Sequence, residues 1–182
     1  MKSLYEPTTQ GVIHTLHQWS NALQTFVGRN ALTTSVTSVA WGTANKAFYV
    51  PITVLEKITI AKFYCTNGGT ASGNFDIGLY DNANSKISST GSTAQSGTNT
   101  VQSVSVAQFT IYPGVYKLAM SMSSTTGTQF MLNGLANASS TVQFDMAEEA
   151  SALPLPSTAT PVTMTTLFAV PLFGMFGAHT IY

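Results

Sequence analysis

Apolar and polar residues alternate with a period of two through most of this chain. From about residue 36 the segments TSVTSVAW, FYVPITV, EKITIAKFYC, GNFDIGLYD, NTVQSVSVAQFTI, GVYKLAMSM, TQFMLNG and TVQFDM are rich in β-branched and aromatic residues and read as strands. In GNFDIGLYD, Phe75, Ile77 and Leu79 share one side of the extended chain and Asp76, Gly78 and Tyr80 the other. Tyr116, Leu118, Met120 and Met122 repeat the pattern, as do Val142, Phe144 and Met146. Between them, Lys117, Ala119, Ser121, Gln143 and Asp145, like Asp76, are expected to face outward. One buried and one wet face predict an all-β, antiparallel, jelly-roll-like sandwich. EKITIAKFYC is apolar on both faces for part of its length and is expected at the centre of a sheet. Pro51, which has no N–H to give a ladder, points to an edge or a bulge.

The two ends of the chain follow other patterns. Val12, Leu16, Trp19, Leu23 and Phe26 recur at alternating spacings of four and three, the stripe of an amphipathic helix that Gly28 would stop. Gly11, Val12, Ile13 and Thr15 are poor helix formers, so the segment is expected to be helical or extended. It either folds onto its own domain or packs between subunits. Residues 147–163, AEEASALPLPSTATPVT, carry prolines without alternation and should run extended over the surface, on their own domain or on a neighbour, before a last strand at about 164–173. The expected organisation is therefore an attachment or oligomerisation segment over 1–35, a sandwich over 36–146, and a Pro-rich arm with a C-terminal strand over 147–182.

Successive loops of an antiparallel array leave from opposite ends. Counting from EKITIAKFYC puts 66–73, 89–99 and 123–128 at one end and the turns 81–85 and 112–114 at the other. The first end collects long Gly, Ser, Thr and Asn loops; the second closes with tight Asx and Pro-Gly turns. Long loops on a rigid scaffold are a common place for recognition. Asn67, Thr70, Ser72, Thr93, Gln95, Thr98, Asn99, Thr125 and Thr126 are the candidate recognition residues, and plain solvated hairpin ends are the alternative.

Charge narrows the partners. Only 8% of residues are charged, against about a quarter in ordinary soluble domains, and seven basic residues cancel seven acidic ones. Copies of such a chain do not repel one another, which suits an assembly component. The sparse basic residues give no electrostatic footprint for nucleic acid and no polybasic patch for a membrane. No segment reaches the roughly 18 apolar residues of a membrane helix, and MKSLYEPTTQ lacks the apolar run of a secretory signal. LFAVPLFGMFGA, broken by Pro171 and two glycines, is expected to be a buried strand. Cys65 is the single cysteine and sits in an apolar strand, as an inert core thiol does.

Candidate chemistry is sparse. Acid–base or nucleophilic catalysis needs positioned groups, and Glu6, Glu56, Asp76, Asp81, Asp145, Glu148 and Glu149 place no two carboxylates on the loops of the long-loop end. His14 and His17 are three apart and His179 is remote, without Cys or carboxylate partners at ligand spacing. DNAN at 81–84 has calcium-type oxygens but not the rest of an EF-hand loop, and reads as a turn. Glycines fall between strands rather than before a helix, so no phosphate cradle is expected. The long loops carry no aromatic platform for a sugar. No catalytic residue, metal site or cofactor is assigned.

The segments ITIAKFYCTNGGTASGNFDIGLYD, KISSTGSTAQSGTNTVQSVSV and YPGVYKLAMSMSSTT, with TVQFDM, resemble a β-sandwich module that recurs in structural proteins of tailed bacteriophages. In that module a strand ending in NG leads to ASGN, an I-G-x-Y-D strand, a G-S turn and a PG-x-Y-x-L-A strand. The similarity spans about residues 48–146; residues 1–47 and 147–182 do not match it. The resemblance implies a non-enzymatic virion component, such as a tail fibre, a baseplate or collar element or a capsid decoration, often a homotrimer held to other virion proteins. A module binding host-surface glycan at the loop end is the other function expected.

Overall fold

The computed structural model describes residues 35–133, 145–164 and 169–177. Within them the chain is all β. The strands are β1 (Ser35–Ala40), β2 (Ala47–Val54), β3 (Ile58–Asn67), β4 (Asn74–Tyr80), β5 (Lys86–Ser89), β6 (Thr93–Ala94), β7 (Thr100–Ile111), β8 (Gly114–Met122), β9 (Thr128–Asn133), β10 (Ala147–Glu149), β11 (Val162–Thr163), β12 (Ala169–Pro171) and β13 (Phe173–Gly177). They form two antiparallel sheets, packed face to face as a jelly-roll-like sandwich. The first contains β1, β9, β12, β13, β3 and β7; the second runs β11-β10-β2-β8-β4-β5, with β6 also on β4. The helical stripe of Val12, Leu16, Trp19, Leu23 and Phe26 lies outside the described residues, as do His14, His17, His179, Val142 and Phe144.

Period-two burial builds the interior. Phe48, Val50, Ile52 and Val54 from β2, Phe75, Ile77 and Leu79 from β4, and Leu118, Met120 and Met122 from β8 meet Ile58, Ile60, Phe63 and Cys65 from β3 and Phe173 and Met175 from β13. Each large apolar side chain so buried contributes about 1.5–3 kcal/mol before entropy is counted. The two-faced apolar pattern of β3 has a local cause. Ile60 pairs with Phe109 and Lys62 with Ser105, so β7 bulges opposite Ala61 and the alternation of β3 resets there. Ile58 and Ile60 before the bulge, and Phe63 and Cys65 after it, then all point into one core. As expected, β3 is central, flanked by β7 and β13. Pro51 pairs with Lys117 of β8, in the part of β2 beyond its ladder with β10, which ends at Tyr49.

The C-terminal strand lies deeper in the sheet than the local pattern suggests. Leu172 joins β12 to β13, donating its N–H to the Phe130 carbonyl and accepting from the Thr66 N–H, each at 3.0 Å. The first half of Ala169–Gly177 pairs with β9 and the second half with β3. Strands β3 and β9 pair directly at Asn67 and Gln129. Residues 169–177 therefore fill a wedge between two strands that diverge from that point.

The outer face of the second sheet corrects the expectation of a wet surface. Asp76, Gly78, Tyr80, Ala119 and Ser121 are buried. The Pro-rich arm docks on its own domain: Ala152, Leu155 and Ala159 pack against Ala47, Tyr49, Tyr80 and Ala119 in a second, smaller core. Small residues in the sheet make room for it. A Cβ on Gly78 would stand 3.0 Å from Leu155 Cδ1 and 2.9 Å from Ser89 Cβ. Lys117 is only half-buried and donates to the Asn84 side-chain oxygen. Asp145 is exposed, as its alternation implies, while Met146 joins the main core.

Candidate functional site

The loops 66–73, 89–99 and 123–128 converge at one end of the sandwich, and backbone hydrogen bonds tie the second and third to the first. Thr128 N–H donates to the Thr70 carbonyl (2.8 Å), Gln95 N–H to Gly73 (2.9 Å), Asn99 N–H to Gly68 (2.8 Å) and Ser123 N–H to Asn74 (2.8 Å). Parity alone places them together, because β5 is a real strand and the intervening turns are short.

Beneath these loops lies a cluster of neutral amides. Asn67 Oδ1 accepts from Gln95 Nε2 (3.2 Å) and Gln129 Nε2 (3.1 Å), while Asn67 Nδ2 donates to the Ser96 carbonyl (2.7 Å) and to Gln102 Oε1 (2.9 Å). Gln95 Nε2 also donates to the Thr128 carbonyl (2.8 Å), and its Oε1 accepts from the Ser72 N–H (2.9 Å). Gln102 completes the clasp by donating to the Ala94 carbonyl (2.9 Å) and accepting from the Ser96 N–H (2.8 Å). Each amide offers donors and an acceptor in one plane, so a few of them answer one another and the loop backbone without any charge, although Gln129 Oε1 is left buried without a partner. Gly127 is required by the closeness of the loops, since a Cβ there would stand 2.5 Å from the Ser72 carbonyl oxygen.

The nine candidate recognition residues separate into two kinds. Thr70, Thr98, Asn99, Thr125 and Thr126 are exposed, and Ser72 and Thr93 half-buried. Asn67 and Gln95 are buried and belong to the clasp, so neither is offered to a ligand. Their polarity in loop sequence reads as exposure, whereas mutual saturation takes them inside. Ser72 and Ser124 join hydroxyl to hydroxyl across 3.1 Å.

The opposite end differs in chemistry. Asp81 Oδ1 accepts the Ser85 N–H at 2.8 Å, the Asx turn expected of DNANS. Beside the YPG turn, Leu55 and Tyr112 are each 60% exposed and Val115 49%. Lys57 Nζ lies 5.7 Å from the Tyr112 ring centroid. Sequence reasoning missed this apolar end. The signal for it was LEK following Val54 and the aromatic preceding PG.

The carboxylates have local partners. Asp76 accepts from Thr90 Oγ1 (3.1 Å), Ser89 Oγ (3.4 Å) and the Leu155 N–H (2.9 Å), which fastens the arm. Glu148 pairs with Lys46 at 3.1 Å. Glu149 accepts from Tyr49 OH (2.7 Å) and from Thr160 N–H (3.1 Å) and Oγ1 (3.0 Å). Tyr80 OH donates to the Pro156 carbonyl at 2.6 Å. Burial, and then the bond to Glu149, push the Tyr49 phenol far above its ordinary range, and burial does the same to Tyr80. Burial also pushes the Cys65 thiol up to about 12, leaving it unreactive at neutral pH. Among the described residues, no three His, Cys, Asp or Glu side chains come together as a metal site.

No family model, curated protein or solved structure matches this chain.

Proposed function

We propose that this chain is a non-enzymatic structural subunit of a tailed-bacteriophage virion, assembling with copies of itself on the particle. The observation that carries the reading is the combination of a rigid two-sheet block with a nearly uncharged surface: the seven acidic and seven basic residues cancel, and the arm that could have been a free tether is packed onto its own sheet. Such a block has little to repel a neighbour and little conformational entropy to lose on packing. The turn-and-strand resemblance to phage structural modules supplies the particle. Mass spectrometry of density-purified particles, with gold labelling of the chain, tests the reading. The expected result is a fixed copy number and a fixed label position; particles free of the chain would overturn it.

A second reading is favoured by the loop end, where Thr70, Thr98, Asn99, Thr125 and Thr126 present hydroxyls and an amide on a pre-organised clasp. In this reading the end contacts a host-surface glycan through polar groups alone. Replacing Thr98, Asn99, Thr125 and Thr126 by Ala should then lower host adsorption with no loss of particle assembly. Unchanged adsorption together with silence on a glycan array would discard it.

A further inference from the structure

The outer strands of the second sheet are blunted. Strands β6 and β11 have two residues each, and β5 has four. The start of β5 is covered, because Lys86 N–H donates to the Ser157 carbonyl at 2.8 Å and Ser85 bridges to Thr158. Short, charged or covered edges are the ordinary defence against unwanted strand pairing.

Strand β7 has far less of that defence. It runs for 12 residues, TVQSVSVAQFTI, with no charge and no proline. Among the described residues it pairs with β3 alone, and Thr100, Val101, Ser103 and Ser105 are exposed along it. The bulge opposite Ala61 breaks its regularity after Ser105, so the regular edge is Thr100–Ser105. Beside that edge the sandwich interior opens sideways. Val104, Val106 and Phe109 are only partly buried against the main core. Strand β5 approaches β7 across this margin.

We propose that the β7 edge, Thr100–Ser105, is a self-association surface on which the same strand of a second copy pairs antiparallel about a two-fold axis. A strand edge recognises backbone N–H and C=O groups in an extended chain, and an apolar ledge alongside it adds side-chain burial. The second copy is the occupant the chemistry favours. Two identical antiparallel strands meet isologously, so each outward donor and acceptor row faces its own complement. The strands bring no charge to repel each other, and the ledges of the two copies come together at the same axis.

This interface rests on the self-assembly proposed above, and its failure is separable from that reading. Sedimentation of the full-length protein at micromolar concentration is expected to give twice the 19.3 kDa chain mass. Val101→Lys with Ser103→Lys, both at exposed positions, places like charges across the axis and should return the mass to that of one chain with unchanged near-UV circular dichroism. Thr126→Lys, at the loop end, should leave the dimer intact. Amide exchange over residues 100–105 should slow as concentration rises. A monomeric wild type, an oligomer that survives the lysine pair, or exchange independent of concentration would each overturn the proposal. Particles that lack the chain would sink the virion reading while leaving a solution dimer standing.

Discussion

Two parts of this molecule hold irregular chain on a rigid sheet by opposite means. At the loop end, Asn67, Gln95, Gln102 and Gln129 fix three loops with neutral amides. On the outer face of the second sheet, Asp76, Tyr49, Tyr80 and Glu149 fix the Pro-rich arm with ionisable groups, over a small apolar core. The neutral cluster is built around Asn67, which joins Gln95, Gln129, Gln102 and the Ser96 carbonyl, so its cost of failure is concentrated in one residue. The arm spreads its attachment over several contacts, among them charge-assisted bonds to Asp76 and Glu149, and ties its stability to phenols that titrate.

The largest effect is expected from Asn67→Leu. It leaves Gln129 Nε2 buried without a partner, at about 1–3 kcal/mol, and removes one bond each from Gln95, Gln102 and the Ser96 carbonyl, at about 0.5–1.5 kcal/mol each. A loss of about 3–5 kcal/mol in urea unfolding is expected, and a loss below about 1 kcal/mol would show that the clasp is not a unit. Leu155→Ala should cost about 2–4 kcal/mol by emptying the small core, with faster proteolysis confined to 150–160. Asp76→Asn turns an acceptor-only carboxylate into a group that points a donor at the Leu155 N–H or the Thr90 hydroxyl. About 1–3 kcal/mol is expected, with the arm loosening first in amide exchange.

Alkaline pH probes the arm without mutation. Folded Tyr49 and Tyr80 hold their protons above the ordinary phenol value of 10.0, so the unfolded chain binds fewer protons at high pH. Their stabilisation is complete below pH 10 and declines above it, by about 1.4 kcal/mol per pH unit for each tyrosine. Tyr49→Phe should flatten that slope, whereas Asn67→Leu should leave the tyrosine part of it in place. The smallest effect belongs to Thr126→Ala, expected within about 0.5 kcal/mol, since its hydroxyl lies on the exposed side of the clasp.

Much of this architecture is legible in the sequence because period two is a local signal. The long strands of the two sheets, the central place of β3 and the gathering of three loops at one end follow from alternation and short turns, whereas β10 and β11 lie in the stretch expected to be a strandless arm. What escapes is what depends on distant chain. Asp76 alternates as an outward residue, and only the arm arriving some eighty positions later encloses it; the clue was the run of Gly78, Ala119 and Ser121, too small for an ordinary wet face. Asn67 and Gln95 look like surface because an isolated amide prefers water, and one residue's sequence context does not reveal that others will answer it. The bulge opposite Ala61 hides in a stretch that reads as merely apolar on both sides.

The wedge filled by Ala169–Gly177 also sets an order of events during synthesis. Strands β3 and β9 emerge from the ribosome well before the segment that separates them, so the nascent first sheet must wait with a gap at its middle. Completion comes as insertion rather than as growth at a rim. A pause in translation ahead of residue 169 would therefore leave a half-built layer with two open flanks, and chaperone capture is expected to peak on such truncated chains.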